Sequence, residues 1–239
     1  MKNITKHLLL FSAVTLLGAC TESNTQLKSA KALYEVSLAN SDQSTVKVAL
    51  NQLLLLDSTN TLYQDSLSRL YISSGNFEAG LRYAEKVFNA GKADVKLKEN
   101  MALAYQQIGK TDKAEQFVNS LKIETNDYKY EYQKLVISYE NRDQILFDSL
   151  SKSILAEIEI DSLVARTTVP MPGPVSGVNQ LVPLKAATYF LIGNNALENN
   201  RDVNTAVEYL QKSLEEYGEF EMSRYVLMEI EKMMMASRR

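Results

Sequence analysis

The side chains best suited to nucleophilic and metal chemistry are scarce in this chain of 239 residues, which holds one histidine, His7, and one cysteine, Cys20. Both fall within the first twenty positions. Past them, neither a Ser-His-Asp nor a Cys-His constellation can be assembled, and the usual zinc ligand sets are missing. Carboxylates, lysines and tyrosines remain. The closely spaced pairs Glu157/Glu159 and Glu215/Glu216 have the right type for acid–base work, but residues one or two apart on a helix do not face each other. They read as solvated pairs, and the chain as a non-enzyme without cofactor or metal. A lone cysteine excludes an intrachain disulfide. The formal net charge is −3, and it falls by two more units without Lys2 and Lys6. Such a surface offers nucleic acid no electrostatic footprint.

Those first residues have a pattern of their own. Lys2 and Lys6 precede an apolar run from Leu8 to Leu17, broken only by Ser12 and Thr15, and Leu17-Gly18-Ala19-Cys20 follows. About ten apolar residues make a signal-peptide core, whereas a membrane span needs roughly 20. Residues 1–19 therefore read as a signal peptide. The ending resembles the lipobox of bacterial lipoproteins, which implies that Cys20 becomes the N-terminus and carries diacylglycerol and an acyl chain such as palmitate; the other reading is an ordinary secretory signal followed by a free thiol. Several acyl chains together hold a protein stably on a membrane where one does not. Thr21 rather than aspartate after the cysteine favours, by resemblance to the sorting rule of enteric bacteria, the outer membrane, and the expected location is its periplasmic face. Residues 20–26 form the expected linker, polar and flexible, spanning roughly 15 Å.

The elements that would position any functional surface follow from an internal period. Tyr71 and Tyr105 are 34 residues apart, as are Gly75 and Gly109, and Leu67/Met101, Ser68/Ala102, Gly80/Ala114, Ala84/Val118 and Val87/Leu121 pair at the same offset. A period of this length means stacked helical hairpins. Gly75 and Gly109 sit where the first helix must end in a left-handed residue, with Asn76 and Thr111 as candidate N-caps of the second helix. The pattern resembles the tetratricopeptide repeat: small residue at position 8, aromatic at 11, glycine at 15, small residue at 20. The resemblance implies an all-α, right-handed solenoid of about five helical hairpins with a C-terminal capping helix, over residues 27–239.

Taken in order, a first atypical hairpin runs from about Leu27 to Asp57, with Tyr34 at the normally small position 8. Units at 61–94 and 95–128 follow, then a degenerate one with Asp148 at position 20. All four prolines, Pro170, Pro172, Pro174 and Pro183, then fall close together. Proline lacks the amide donor and disfavours helix in the residue before it, so 162–183 is expected to be a non-helical insertion, extended or hairpin-like around Pro172-Gly173-Pro174. It is read either as a partner-touching loop or as a linker packed back on the helices. The repeat resumes at Leu184, with Gly193 at position 8 and Ala206 at position 20, and a helix from Phe220 to Met235 closes the chain.

Solenoids of the family bind peptides or partner helices along the face lined by each first helix. That implication makes Arg69, Ile72, Leu103, Gln106, Tyr130 and Ile137 candidate partner contacts, joined by Met171, Pro172 and Val175 from the insertion. The family's carboxylate clamp, lysine at position 5 with asparagine at 9, is absent: position 5 is Lys31, Asp65, Glu99, Gln133 or Phe190, position 9 is Glu35, Arg69, Leu103, Ile137 or Asn194, and no unit has the pair. Met233, Met234 and Met235 read as a capping helix end or an adaptable contact surface. The expected role is a lipid-anchored adaptor that grips an envelope protein partner, accessory to an outer-membrane assembly, secretion or transport complex; the alternatives are a ligand- or glycan-binding lipoprotein using the solenoid and the proline-rich insertion, and a purely structural spacer.

Overall fold

The computed structural model describes residues 24–236; the segment expected to be a signal peptide, Cys20 and Thr21 lie outside them. The chain divides into two compact units, the first ending at Ile108 and the second beginning at Gly109. This division falls inside the third expected repeat.

The N-terminal unit holds α1 (residues 24–39), α2 (Gln43–Leu56), α3 (Thr61–Ser73), α4 (Phe77–Asn89) and α5 (Val95–Gln107). Helix α1 takes in residues 24–26, which the sequence reading gave to the flexible linker: helix propagates wherever an adjoining segment packs, and Ala30 and Ser37 are buried behind it. Helix starts are fixed by short polar side chains. The Asp42 carboxylate accepts from the Thr45 amide at 3.1 Å, Asn60 from Leu62 and Tyr63, and Asp94 from Leu97 at 2.7 Å, each cap stabilising its helix by about 1 kcal/mol. Gly75 has the expected left-handed φ of 75°. Asn76 stands at the N-cap of α4 but makes no side-chain cap bond.

Tight packing of α3 on α4 has one cause. A Cβ on Gly80 would lie 2.5 Å from Cγ1 of Ile72 and 3.0 Å from the Ser68 carbonyl, so the bare glycine lets the two backbones approach. Beside it, the Tyr71 and Tyr83 rings stack with centroids 6.0 Å apart and planes 6° from parallel, over a core of Val46, Leu50, Leu54 and Leu67.

The C-terminal unit holds α6 (Thr111–Thr125), α7 (Lys129–Glu140), α8 (Gln144–Ile160), a single helical turn α9 (Ser162–Ala165), strands β1 (Thr168–Met171) and β2 (Gln180–Pro183), then α10 (Leu184–Glu198), α11 (Val203–Glu216) and α12 (Glu221–Ala236). Gly109 precedes α6 with φ 71°. Thr111 is the first residue of α6 rather than its cap; Lys110 holds that place, with no side-chain bond. The insertion is not wholly non-helical, because Asp161 caps Ser162–Ala165 by accepting from the Leu163 amide at 2.7 Å. The rest is the expected hairpin, antiparallel with Val169 opposite Val182 and Pro170 opposite Leu181.

Alternation along the strands turns Val169, Met171 and Val182 inward, where they join Leu184, Phe190, Leu191 and Leu210 in one core. The insertion thus packs back on the helices. Its tip is fastened as well: the Glu221 carboxylate accepts from the Val175 and Ser176 amides, both at 2.9 Å, and the Gln180 side chain bridges the Glu219 carbonyl and the Glu221 amide. Helix α12 covers α11 as a capping helix should. Phe220 and Ser223 are fully buried, the Phe220 ring lies 5.3 Å from Phe190, and the Ser223 and Ser213 hydroxyls meet at 2.8 Å. Met233, Met234 and Met235 are exposed.

Candidate partner-binding surfaces

The faces that the repeat pattern assigns to a partner differ in what they expose. In the N-terminal unit, Arg69 is a strut between α3 and α5 more than a free hand. Its guanidinium donates to Asp65 at 2.9 and 3.0 Å and to Asp94 at 2.8 Å. Partial burial works against its charge, and these two carboxylates outweigh that effect and hold it protonated. The same bond, helped by the Leu97 amide, keeps Asp94 below the usual carboxylate range. Leu103 is exposed and Gln106 half-buried on α5, and Leu62 is 75% exposed at the start of α3. Ile72 is core, because it fills the space beside Gly80.

In the C-terminal unit the correction is larger. Tyr130 and Ile137, expected on the binding face of α7, are both buried, and buried side chains are unavailable to a partner in this conformation. Met171 is buried too, with its sulfur 3.6 Å from the Tyr132 hydroxyl. Pro172 and Val175 are exposed, and with Val178 and Leu181 they give the hairpin an apolar outer side.

Two features escaped the sequence reading. Tyr139 on α7 accepts from the Asn194 amide at 2.8 Å and donates to Glu198 at 2.5 Å; burial first, and then the Glu198 charge, pushes its phenol well above the ordinary value. The ladder continues from Asn199 to Asn195 at 2.8 Å and from Asn195 to Gln144 at 3.1 Å. A phenol held protonated between an amide donor and a carboxylate acceptor is a tie between helices, not a base. The only sequence trace of it is the asparagine-rich end of α10. The second feature is an open cleft of about 520 Å³ lined by Asn126, Asp127, Tyr128, Lys129, Asp161, Leu163, Val164, Arg166, Thr167 and Thr168. Its two acids are engaged, Asp161 in capping α9 and Asp127 with Lys129 at 3.4 Å. Nothing in the sequence pattern joins the α6–α7 connection to the start of the insertion.

Among the described residues, no cluster of histidine, cysteine or carboxylates is arranged to hold a metal, and no buried side-chain nitrogen or oxygen lacks a hydrogen-bond partner. No described helix is long and apolar enough to cross a membrane.

Neither a family model nor any curated protein matches this chain. Solved structures do. A MamA protein is 14% identical with a TM-score of 0.55, the match covering 81% of this chain and 92% of that one. YrrB, described as a TPR protein with an unusual peptide-binding site, is 13% identical with a TM-score of 0.55, covering 81% and 87%. MamA from Desulfovibrio magneticus RS-1 is 10% identical with a TM-score of 0.54, covering 80% and 94%. Identities this low speak for fold and not for shared partners. With the 34-residue period, the left-handed turns at Gly75 and Gly109 and the close helix approach at Gly80, they establish that the chain has an all-α, tetratricopeptide-like fold.

Proposed function

We propose that this protein is a protein–protein interaction scaffold, held by lipid on Cys20 at the periplasmic face of a bacterial outer membrane and accessory to an assembly, secretion or transport complex there. The observation that carries the reading is the fold itself: helical hairpins that leave Leu62, Leu103 and the outer side of the β1–β2 hairpin exposed. A similarly folded protein, YrrB, is described as having a peptide-binding site. The lipobox-like ending at Cys20 supports the anchor.

The test is recovery of a partner from crosslinked envelopes. A stoichiometric membrane protein retained with the full chain supports a scaffold, and its absence counts against one. Val169 and Val182 are core, so the hairpin is tested by substitution of its exposed residues and not by deletion. Val175→Asp with Val178→Asp leaves the core intact and should release a partner held by the hairpin. The cleft beside Arg166 favours a second reading, a small polar ligand or glycan held there; a small molecule that co-purifies with the protein and is lost in Arg166→Ala would support it over the first.

A further inference from the structure

Helix α1 has three sides, and two of them are accounted for. Ala30 and Ser37 face the core, and Lys28, Lys31 and Glu35 share a charged side. The third is Gln26, Ser29, Leu33 and Val36, spaced three, four and three residues apart and so aligned in one stripe. It carries no charge, and Val36 is 59% exposed. Gln26 and Ser29 also wall a groove of about 330 Å³ whose other wall is Gln52, Leu55 and Leu56 of α2, where Leu55 is 86% exposed. The stripe and the end of α2 are therefore one continuous uncharged surface that nothing in the N-terminal unit covers.

What lies next to it follows from the chain. From Cys20 to the start of α1 at residue 24 there are four residues, which reach at most about 14 Å when fully extended. An acylated Cys20 would thus hold this end of α1 within that distance of the lipid. We infer that the surface formed by Leu33, Val36, Leu55 and Leu56 rests on the bilayer, with α1 lying along the interface as a second, non-covalent attachment that orients the anchored body. The inference rests on the lipid anchor proposed above. An interfacial helix buries its less polar face at the headgroup boundary while its charged side stays in water; on α1 the uncharged stripe, apolar at Leu33 and Val36 and continued by Leu55 and Leu56 of α2, is that face.

The chain has no tryptophan, so single replacements report on one place each. Val36→Trp, Leu55→Trp and, on the charged side, Lys31→Trp are made in the full-length chain, extracted from membranes with the acyl groups attached. They are reconstituted into phosphatidylethanolamine–phosphatidylglycerol vesicles with plain or brominated acyl chains. The expected result is loss of most emission in brominated vesicles for Val36→Trp and Leu55→Trp, and little loss for Lys31→Trp. Equal quenching of all three, or none, in acylated and vesicle-bound protein overturns the inference and leaves the anchor standing. A blue-shifted, unquenched emission that grows with protein concentration assigns the surface to a second copy of the chain and overturns it as well. A mass showing Cys20 without acyl groups removes the anchor and the inference together.

Discussion

Hairpins α3–α4 and α10–α11 solve the same packing problem with the glycine on opposite partners. In α3–α4 the bare residue is Gly80 on the second helix, approached by Ser68 and Ile72 of the first; in α10–α11 it is Gly193 on the first helix, approached by Ala206 and Leu210 of the second. The repeat needs close approach at the crossing of positions 8 and 20, and glycine on either side supplies it. The turns differ in the same spirit. Gly75 takes φ 75° between α3 and α4, whereas Arg201 takes φ 56° between α10 and α11, and there Asp202 caps the second helix by accepting from Thr205 at 3.1 Å where Asn76 makes no such bond. Each hairpin is optimised at one place and relaxed at another.

The two hairpins also differ in what seals them, and the largest expected effect lies there. Phe220 is fully buried against Phe190 and belongs to the core that joins α10, the β1–β2 hairpin and α12. Phe220→Ala should destabilise the protein by about 3–5 kcal/mol, the usual cost of emptying a large buried aromatic site. A urea titration with unchanged slope and a lower midpoint measures it; a loss below 1 kcal/mol would mean that α12 is not a true cap.

Next comes the crossing itself. Adding a methyl at Gly80 drives it to 2.5 Å from Ile72 and 3.0 Å from the Ser68 carbonyl, and at Gly193 to 3.0 Å from Leu210 and 3.1 Å from the Ala206 carbonyl. Overpacking costs about 1–3 kcal/mol, while alanine gains back about 0.5–1 kcal/mol over glycine inside a helix. Gly80→Ala should therefore destabilise by about 1–2 kcal/mol and Gly193→Ala by less, to near zero. Equal losses would break the distinction between the two crossings.

The turns give a smaller effect of opposite sign. A Cβ on Gly75 would meet nothing within 4 Å, so its cost is purely that of left-handed backbone, about 1 kcal/mol lost in Gly75→Ala. Arg201 already bears that cost at φ 56°, and Arg201→Gly should return about 0.5–1 kcal/mol after the entropy of a freer unfolded chain is deducted. Thermal or urea midpoints moving in opposite directions would sharpen the comparison.

Much of this was legible in the sequence. The period placed Gly75, Gly109, Gly80 and Gly193 correctly because each answers a local demand, a positive φ or a close approach, that few other residues meet. The proline cluster marked the strands for the same reason. Burial at the candidate site was not legible. Positions that line a binding face in one repeat are covered in another, and Tyr130 and Ile137 carry the same apolar character whether they face solvent or core. The Tyr139–Glu198–Asn194 ladder joins helices some sixty residues apart in sequence, a distance over which a 34-residue rule has nothing to say.

The smallest expected effect concerns α12, the helix that covers α10–α11 and is bound to the β1–β2 hairpin through a titrating group. Glu221 accepts from the Val175 and Ser176 amides, and these bonds, the Ser176 amide first, hold its carboxyl below the usual range. A depressed carboxyl contributes stability that is present above its unfolded value of about 4.3 and is lost as pH falls through the lower folded value. Acidification from pH 5 toward pH 2 should therefore loosen the hairpin tip first at Val175 and Ser176, seen as a joint shift of their two amide resonances with a midpoint below that of free glutamate. Glu221→Gln keeps an acceptor oxygen but cannot titrate, so the same resonances should stay flat over that range. If the shift persists in Glu221→Gln, the tip is responding to some other group, and the fastening of the hairpin to α12 is not electrostatic.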